Sequence, residues 1–286
     1  MKKLKLKLKV TVITIVAVIA LVVIALPMVL KKAGLHPSYD GEHYQFAGGR
    51  ALIITTSHGF LAEPGSTEGE PTGVFASEMT HPYYVFKAAG MDVDVASIEG
   101  GQIPIDPMSF SRMIRSAEDE RFLEDTVFQA KVKNSIAITS VDVSDYDVIF
   151  LAGGWGAAYD MGYSEDLGQL VSQAYYSPRK TIISSVCHGA LGLIQAKDSD
   201  GNLLVSGRRA TSVTDKQIKE LGIEVTPMHP ETELRKAGVI FESATAFRDI
   251  FATRVVVDEE QRFVTGQNQN SGLETAHTVV KLLVER

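Results

Sequence analysis

The sequence is poor in the residues that staple small folds or hold metals and nucleotides. Cysteine occurs once, at Cys187. No intrachain disulfide can form, and a lone thiol is either an inert buried side chain or a reactive one. There is no HExxH or CxxC spacing and no GxxxxGK loop, and His58, His188, His229 and His277 are scattered. The sequence therefore offers no candidate metal site and calls for no cofactor. Acidic residues are absent from positions 1–32, which hold seven of the 28 Lys and Arg and leave 21 basic residues against 35 acidic ones elsewhere. A body that acidic argues against nucleic acid as a partner. Internal repeats and low-complexity tracts are also missing. What remains is an ordinary globular composition, 45% hydrophobic and 22% charged over 286 residues, enough for one large or two small domains.

The first feature present is an uncharged apolar run over residues 10–30, with five lysines before it and Lys31 and Lys32 after it. As a helix it spans about 30 Å, the thickness of a bilayer core. The heavier positive charge precedes it, so the N-terminus is expected on the cytoplasmic side and the rest of the chain outside. A cleavable signal peptide is the rival reading. Its apolar region is shorter, about 7–15 residues, and ends at a small-residue cleavage site that LKKAGLHPSYD does not supply. The expected organisation is a cytoplasmic tip and single-pass anchor over 1–30, a linker over 31–48 with Gly34, Pro37, Gly41, Gly48 and Gly49, and one domain over 49–286.

In that domain short apolar runs alternate with amphipathic stretches. Residues 51–55, 92–96, 147–152 and 180–185 read as strands buried on both faces, continuous and β-branched. Residues 75–89 read as a helix, with Pro82 early in it or bending it. Shorter strands at 254–258 and 263–265 precede a closing helix over 271–284. The pattern predicts a doubly wound, mostly parallel α/β sheet between helices, of the flavodoxin-like type. Residues 106–141 are polar and irregular and are expected to cover one end of the sheet. Ligands bind at the C-terminal ends of such strands, where TTSHG (55–59), AGGWG (152–156) and SVCHG (185–189) fall.

The last of these has the form of a nucleophile elbow. A strand leads into Ser185-Val186-Cys187-His188-Gly189 and an apolar run follows. The tight turn needs small residues two before and two after the nucleophile, and Ser185 and Gly189 supply them. At a helix N-terminus the Cys187 thiolate is favoured, and the His188 N–H faces a developing oxyanion. A small hydrophobe at a strand end is the bland alternative. His188 can serve as base, acid or orienter, or be a satisfied cavity residue. Gly153 and Gly154, directly after a strand, can bring a second N–H to the substrate or can form a plain tight turn.

These blocks, with TGVFASEMTHPYYVFKAAGMDVDVASIEGGQIPIDPMS and FVTGQNQNSG, resemble the ThiJ/PfpI superfamily, relatives of class I glutamine amidotransferases, and within it the heat-shock-chaperone and glutathione-independent glyoxalase group. The resemblance covers residues 50–284. It implies that Glu78, in TGVFASE, is a protonated carboxyl group lying against the Cys187 sulfur and moving protons. Burial beside a thiolate would raise its pKa in any case. Three departures stand out. The third acid of the family corresponds here to Gln217 or, two residues earlier, Asp215. Trp155 stands in the cavity motif where the glyoxalase group often has His. The C-terminal Asn-Pro is replaced by Asn268-Gln269.

The resemblance implies a glyoxalase. The Cys187 thiolate adds to the aldehyde carbon of a 2-oxoaldehyde such as methylglyoxal, Glu78 and His188 relay protons through an enediol, and the thioester is hydrolysed to a 2-hydroxy acid. The alternatives are a cysteine peptidase or amidase, a holding chaperone with an exposed apolar patch, and a thiol sensor. The expected partners are a small carbonyl substrate and the membrane. A homodimer stays open.

Overall fold

In the computed structural model, which describes residues 2–63, 65–223 and 225–286, helix α1 runs from Lys2 to Lys32. Its stretch Lys9–Lys32 has a mean hydropathy of 3.1 and is long and apolar enough to cross a membrane. Side chains from Lys9 to Ile24 are exposed, with no protein surface covering them.

A seven-stranded sheet follows. We number its strands β1 (Arg50–Thr55), β2 (Asp92–Ser97), β3 (Ile136–Ala137), β4 (Val148–Leu151), β5 (Ile182–Val186), β6 (Val255–Val257) and β7 (Phe263–Gly266). The order is β6-β7-β5-β4-β1-β2-β3. Every neighbouring pair is parallel except β6 with β7. Parallel strands need helical crossovers, so helices cover both faces and the strand sequences are apolar on both sides. Ile53, Val95 and Phe150 face one core with Met79, Phe86 and Val279. Leu52, Ile54 and Ile149 face the other, with Leu167, Leu170 and Val171 of the helix Glu165–Tyr176.

The expected strands and helices lie within a few residues of the observed ones. Helix α2 spans Ala76–Ala88 with Pro82 inside it, and the closing helix spans Gly272–Val284. The 106–141 segment does more than cover an end. It contains the short helices Ala117–Phe122 and Thr126–Lys133, and its β3 is the sheet's edge strand. Ser116 and Asp125 cap those helices by accepting from backbone N–H groups. Local capping thus orders a stretch whose hydrophobic periodicity is weak.

Candidate active site

Strand β5 ends at Val186 and the chain turns sharply at Cys187, whose φ is +56°. A non-glycine residue in this region is strained and must be held by its surroundings. Here the hold is steric. A Cβ on Gly189 would run into the Leu151 carbonyl oxygen, so the elbow can lie on β4 only with glycine there. A 3-10 helix, Cys187–Leu193, follows.

Glu78 reaches the sulfur from the first turn of α2. It is 1% exposed, and burial pushes its pKa up to about 8 against the opposing influence of the Cys187 thiol and the Gly153 N–H. Its Oε2 is buried without a well-formed hydrogen bond among the described residues, so this carboxyl group is available to a substrate. Gly153 must be glycine. A Cβ there would sit 2.5 Å from Glu78 Oε2 and 2.6 Å from the His188 nitrogen. The two glycines divide the work: the Gly153 N–H lies toward Glu78, and the Gly154 and His188 N–H groups favour negative charge on the Cys187 sulfur. Gly154 itself has φ +109°.

The thiolate expected from a helix N-terminus is corrected by burial. The Cys187 thiol is pushed above its ordinary value, first by desolvation and then by the Glu78 charge, and the two N–H groups offset this only in part. A seven-residue 3-10 helix adds too little dipole to reverse that penalty.

His188 places Nδ1 3.4 Å from the Cys187 sulfur. Its ring lies 4.8 Å from that of Trp155. Burial, and secondarily His229, lowers its pKa to about 3, so the ring is neutral at physiological pH. Its Nε2 has no hydrogen-bond partner among the described residues.

Above these groups opens a cavity of about 590 Å³, with Cys187, His188, Glu78, Gly154 and Trp155 at its base and Gln217 on its wall. The DJ-1/PfpI family pattern matches residues 71–282, spanning α2, the glycine pair and the elbow. This chain belongs to the DJ-1/PfpI family. It is 27% identical to glyoxalase 3 of Candida albicans over 81% of this chain and 97% of that protein. It is 29% identical to a probable glutathione-independent glyoxalase, hsp3103, of Schizosaccharomyces pombe over 77% and 94% respectively. Among solved structures, the Francisella tularensis rapid encystment protein of 24 kDa superposes with a TM-score of 0.74 at 30% identity, covering 82% of this chain and 99% of that one. The C. albicans glyoxalase III structure gives 0.72 at 26%, covering 82% and 96%.

The two positions considered for the third acid are not equivalent in this DJ-1/PfpI chain. Gln217 is buried in the cavity wall and accepts from Asn268 Nδ2 at 3.0 Å. Asp215 starts the helix Asp215–Leu221, outside the cavity lining, and accepts from Thr232 Oγ1 at 2.7 Å. The side chain that adds to the lowering of the His188 pKa is His229, just before the helix Pro230–Lys236, which sequence reasoning passed over as scattered. Among the described residues no three His, Cys, Asp or Glu side chains gather as a metal site. His58 instead stacks on Tyr159 and His277 on Tyr39. The aliphatic cavity wall was also missed, because it is assembled from loops and helix ends that carry no periodic signal.

Proposed function

We propose that this chain is a glutathione-independent glyoxalase, converting a 2-oxoaldehyde and water to a 2-hydroxy acid, a lyase-type reaction with Cys187 as nucleophile. The observation that carries this reading is the burial of a proton-bearing Glu78 against the Cys187 thiol at the base of a cavity, in a chain whose curated relatives bear the glyoxalase name. Cys187 attacks the aldehyde carbon. The thiol proton passes to neutral His188 Nδ1, and Glu78 protonates the aldehyde oxygen, giving a hemithioacetal. The Glu78 carboxylate then removes the proton from that carbon while His188 protonates the neighbouring carbonyl oxygen. Glu78 returns its proton to the second carbon and the enediol collapses to a thioester, its hydroxyl proton going to His188. Water, losing a proton to Glu78, releases the hydroxy acid, and the sulfur recovers its proton from His188. The first carbon is oxidised and the second reduced, so no external electron carrier enters. A Glu78 pKa of about 8 suits a group that gives and takes a proton near neutrality.

Amide hydrolysis is the weaker reading. It requires an imidazole held by an acid, and His188 Nε2 has none among the described residues. For α1 we propose a single-pass anchor with the body outside the cytoplasm. Its exposed apolar surface requires a covering that lipid supplies, and the flanking lysines set the direction. The test of the catalytic reading is lactate formation from methylglyoxal without glutathione by the full-length protein, beside Cys187→Ala. Lactate from the wild type alone supports it. Equal lactate from both, or none from folded wild type, sinks it.

A further inference from the structure

A three-carbon oxoaldehyde is small for this cavity. At about 30 Å³ per heavy atom, the volume share of a water molecule, it fills roughly a quarter of the space, which is about 590 Å³. The remainder is walled by Leu61, Ile114, Val213, Leu221, Ile223 and Ile250. An aliphatic wall gives bound water few partners and gives an alkyl chain contact along its length. Glu78, Cys187 and His188 are part of the same lining, and Glu70, Asp106, Gln217 and Gln269 are its other polar residues.

The wall is also fastened to the end of the apolar helix. His36 comes four residues after Lys32, the last residue of α1, so the two are at most about 14 Å apart in extended chain. The His36 backbone N–H donates to Asn270 Oδ1 at 2.8 Å, and Asn270 Nδ2 in turn donates to the Ile250 carbonyl oxygen. The His36 ring bonds the Ile114 carbonyl oxygen through Nε2. Leu35 is buried and Gly34 abuts Phe251. Two segments of the aliphatic wall are thus held to His36, four residues beyond the end of the helix. With α1 in a bilayer, that wall lies near the lipid headgroups. Met108 and Leu221, cavity residues that are themselves 63% and 37% exposed, mark its opening.

We infer that the site takes 2-oxoaldehydes bearing an alkyl tail, lipid-soluble compounds that share the bilayer with α1. The carbonyl end lies at Cys187 and the tail along the Ile114–Ile250 wall. This rests on the glyoxalase reading above and names its substrate class. The chemistry is unchanged: R–CO–CHO and water give R–CHOH–COOH, and the tail takes no part in bond making. The class also suits the topology, since such a compound reaches the extracytoplasmic face through the membrane itself.

The experiment uses the full-length protein in phosphatidylcholine liposomes, with a homologous series from 2-oxopropanal to 2-oxodecanal and no glutathione, measuring the hydroxy acid. The expected result is a kcat/KM that rises about fourfold per added methylene until the cavity is full. Leu221→Asn at the opening and Ile223→Asn deeper in the wall are expected to flatten the series. Leu221 is partly exposed, so its variant tests the point even where the deeper one folds poorly. Turnover of 2-oxopropanal with a flat series overturns the inference and leaves the glyoxalase reading standing. A rise that survives both variants also overturns it, because partition into lipid alone would then account for the slope. Absence of product from every member, with folded protein, removes both.

Discussion

The two sides of the Cys187 elbow are built differently. On the Glu78 side the contacts are tight and over-determined: a buried carboxyl group on the first turn of α2, a Gly153 position that no Cβ can enter, and N–H groups of Gly154 and His188 about the sulfur. On the far side the His188 ring is held by Trp155 and by burial, and its outer nitrogen meets no acid among the described residues. Asp215 is bound to Thr232 and the buried wall position belongs to the neutral Gln217. The difference indicates where the proton chemistry resides. A triad concentrates it in the imidazole and its acid, whereas the proposed reaction concentrates it in Glu78 and leaves His188 as a short relay at the sulfur.

That contrast predicts a steep order of losses. Cys187→Ala removes the covalent route and is expected to lower kcat by about 10⁴-fold or more, read as hydroxy acid formed per enzyme. Glu78→Gln keeps the shape but carries no exchangeable acid proton, with an expected loss of about 10²–10⁴-fold. A loss below tenfold would shift the weight back to His188. Gly153→Ala strikes the cradle. Overpacking costs about 1–3 kcal/mol, and pushing Glu78 off the sulfur by a fraction of an ångström costs up to about 10²-fold in rate. Urea unfolding and kcat together separate the two effects.

The pH behaviour sharpens the same comparison. Glu78 titrates at about 8 in the folded chain against an ordinary 4.5. Between those values the unfolded chain has lost this proton and the folded chain keeps it, so the contribution to stability falls as pH rises through the window and levels off above about 8. The urea midpoint of wild type is expected to drop more than that of Glu78→Gln between pH 5 and pH 8, the range in which the linkage acts. His188 works in the opposite sense. Its pKa is lowered to about 3 from 6.5, so its contribution is lost as pH falls through that interval. In activity, kcat/KM is expected to fall above pH ~8 as Glu78 loses the proton it gives to the aldehyde oxygen. A profile flat to pH ~10 would remove Glu78 from the acid role.

Much of this was legible in the residues. Strands β1, β2, β4 and β5 announce themselves as β-branched runs because parallel strands are buried on both faces, and the elbow is local, needing only Ser185, Cys187 and Gly189 in register. Glu78 was legible only through resemblance, since nothing in TGVFASE distinguishes a buried acid from a surface one. The elevated Cys187 pKa was hidden for a related reason. A helix start is visible in sequence, but complete desolvation by segments distant along the chain is not. The edge strand Ile136–Ala137 was lost because two residues carry no period. The cavity wall, with Leu61, Ile114 and Ile250 drawn from a two-residue strand, a turn and a 3-10 helix far apart in the chain, exists only once the chain has folded.

The smallest expected effect is the one that separates the two sides most cleanly. If Asp215 were the orienting acid of a triad, Asp215→Asn would lower kcat by orders of magnitude, as loss of such an acid does. Here its carboxylate accepts from Thr232 and its backbone N–H donates to Glu231 Oε2 at 3.0 Å. These contacts join the starts of the helices Asp215–Leu221 and Pro230–Lys236. Asn preserves the size and one acceptor oxygen, so the expected change is less than about threefold in kcat and about 1 kcal/mol or less in stability. Gln217→Glu is the companion measurement. It puts a carboxyl group in the cavity wall beside Asn268 Nδ2. A gain in amide hydrolysis from that variant would mean that one substitution supplies His188 with an acid. Unchanged glyoxalase turnover in both variants would place the reaction on the Glu78 side alone.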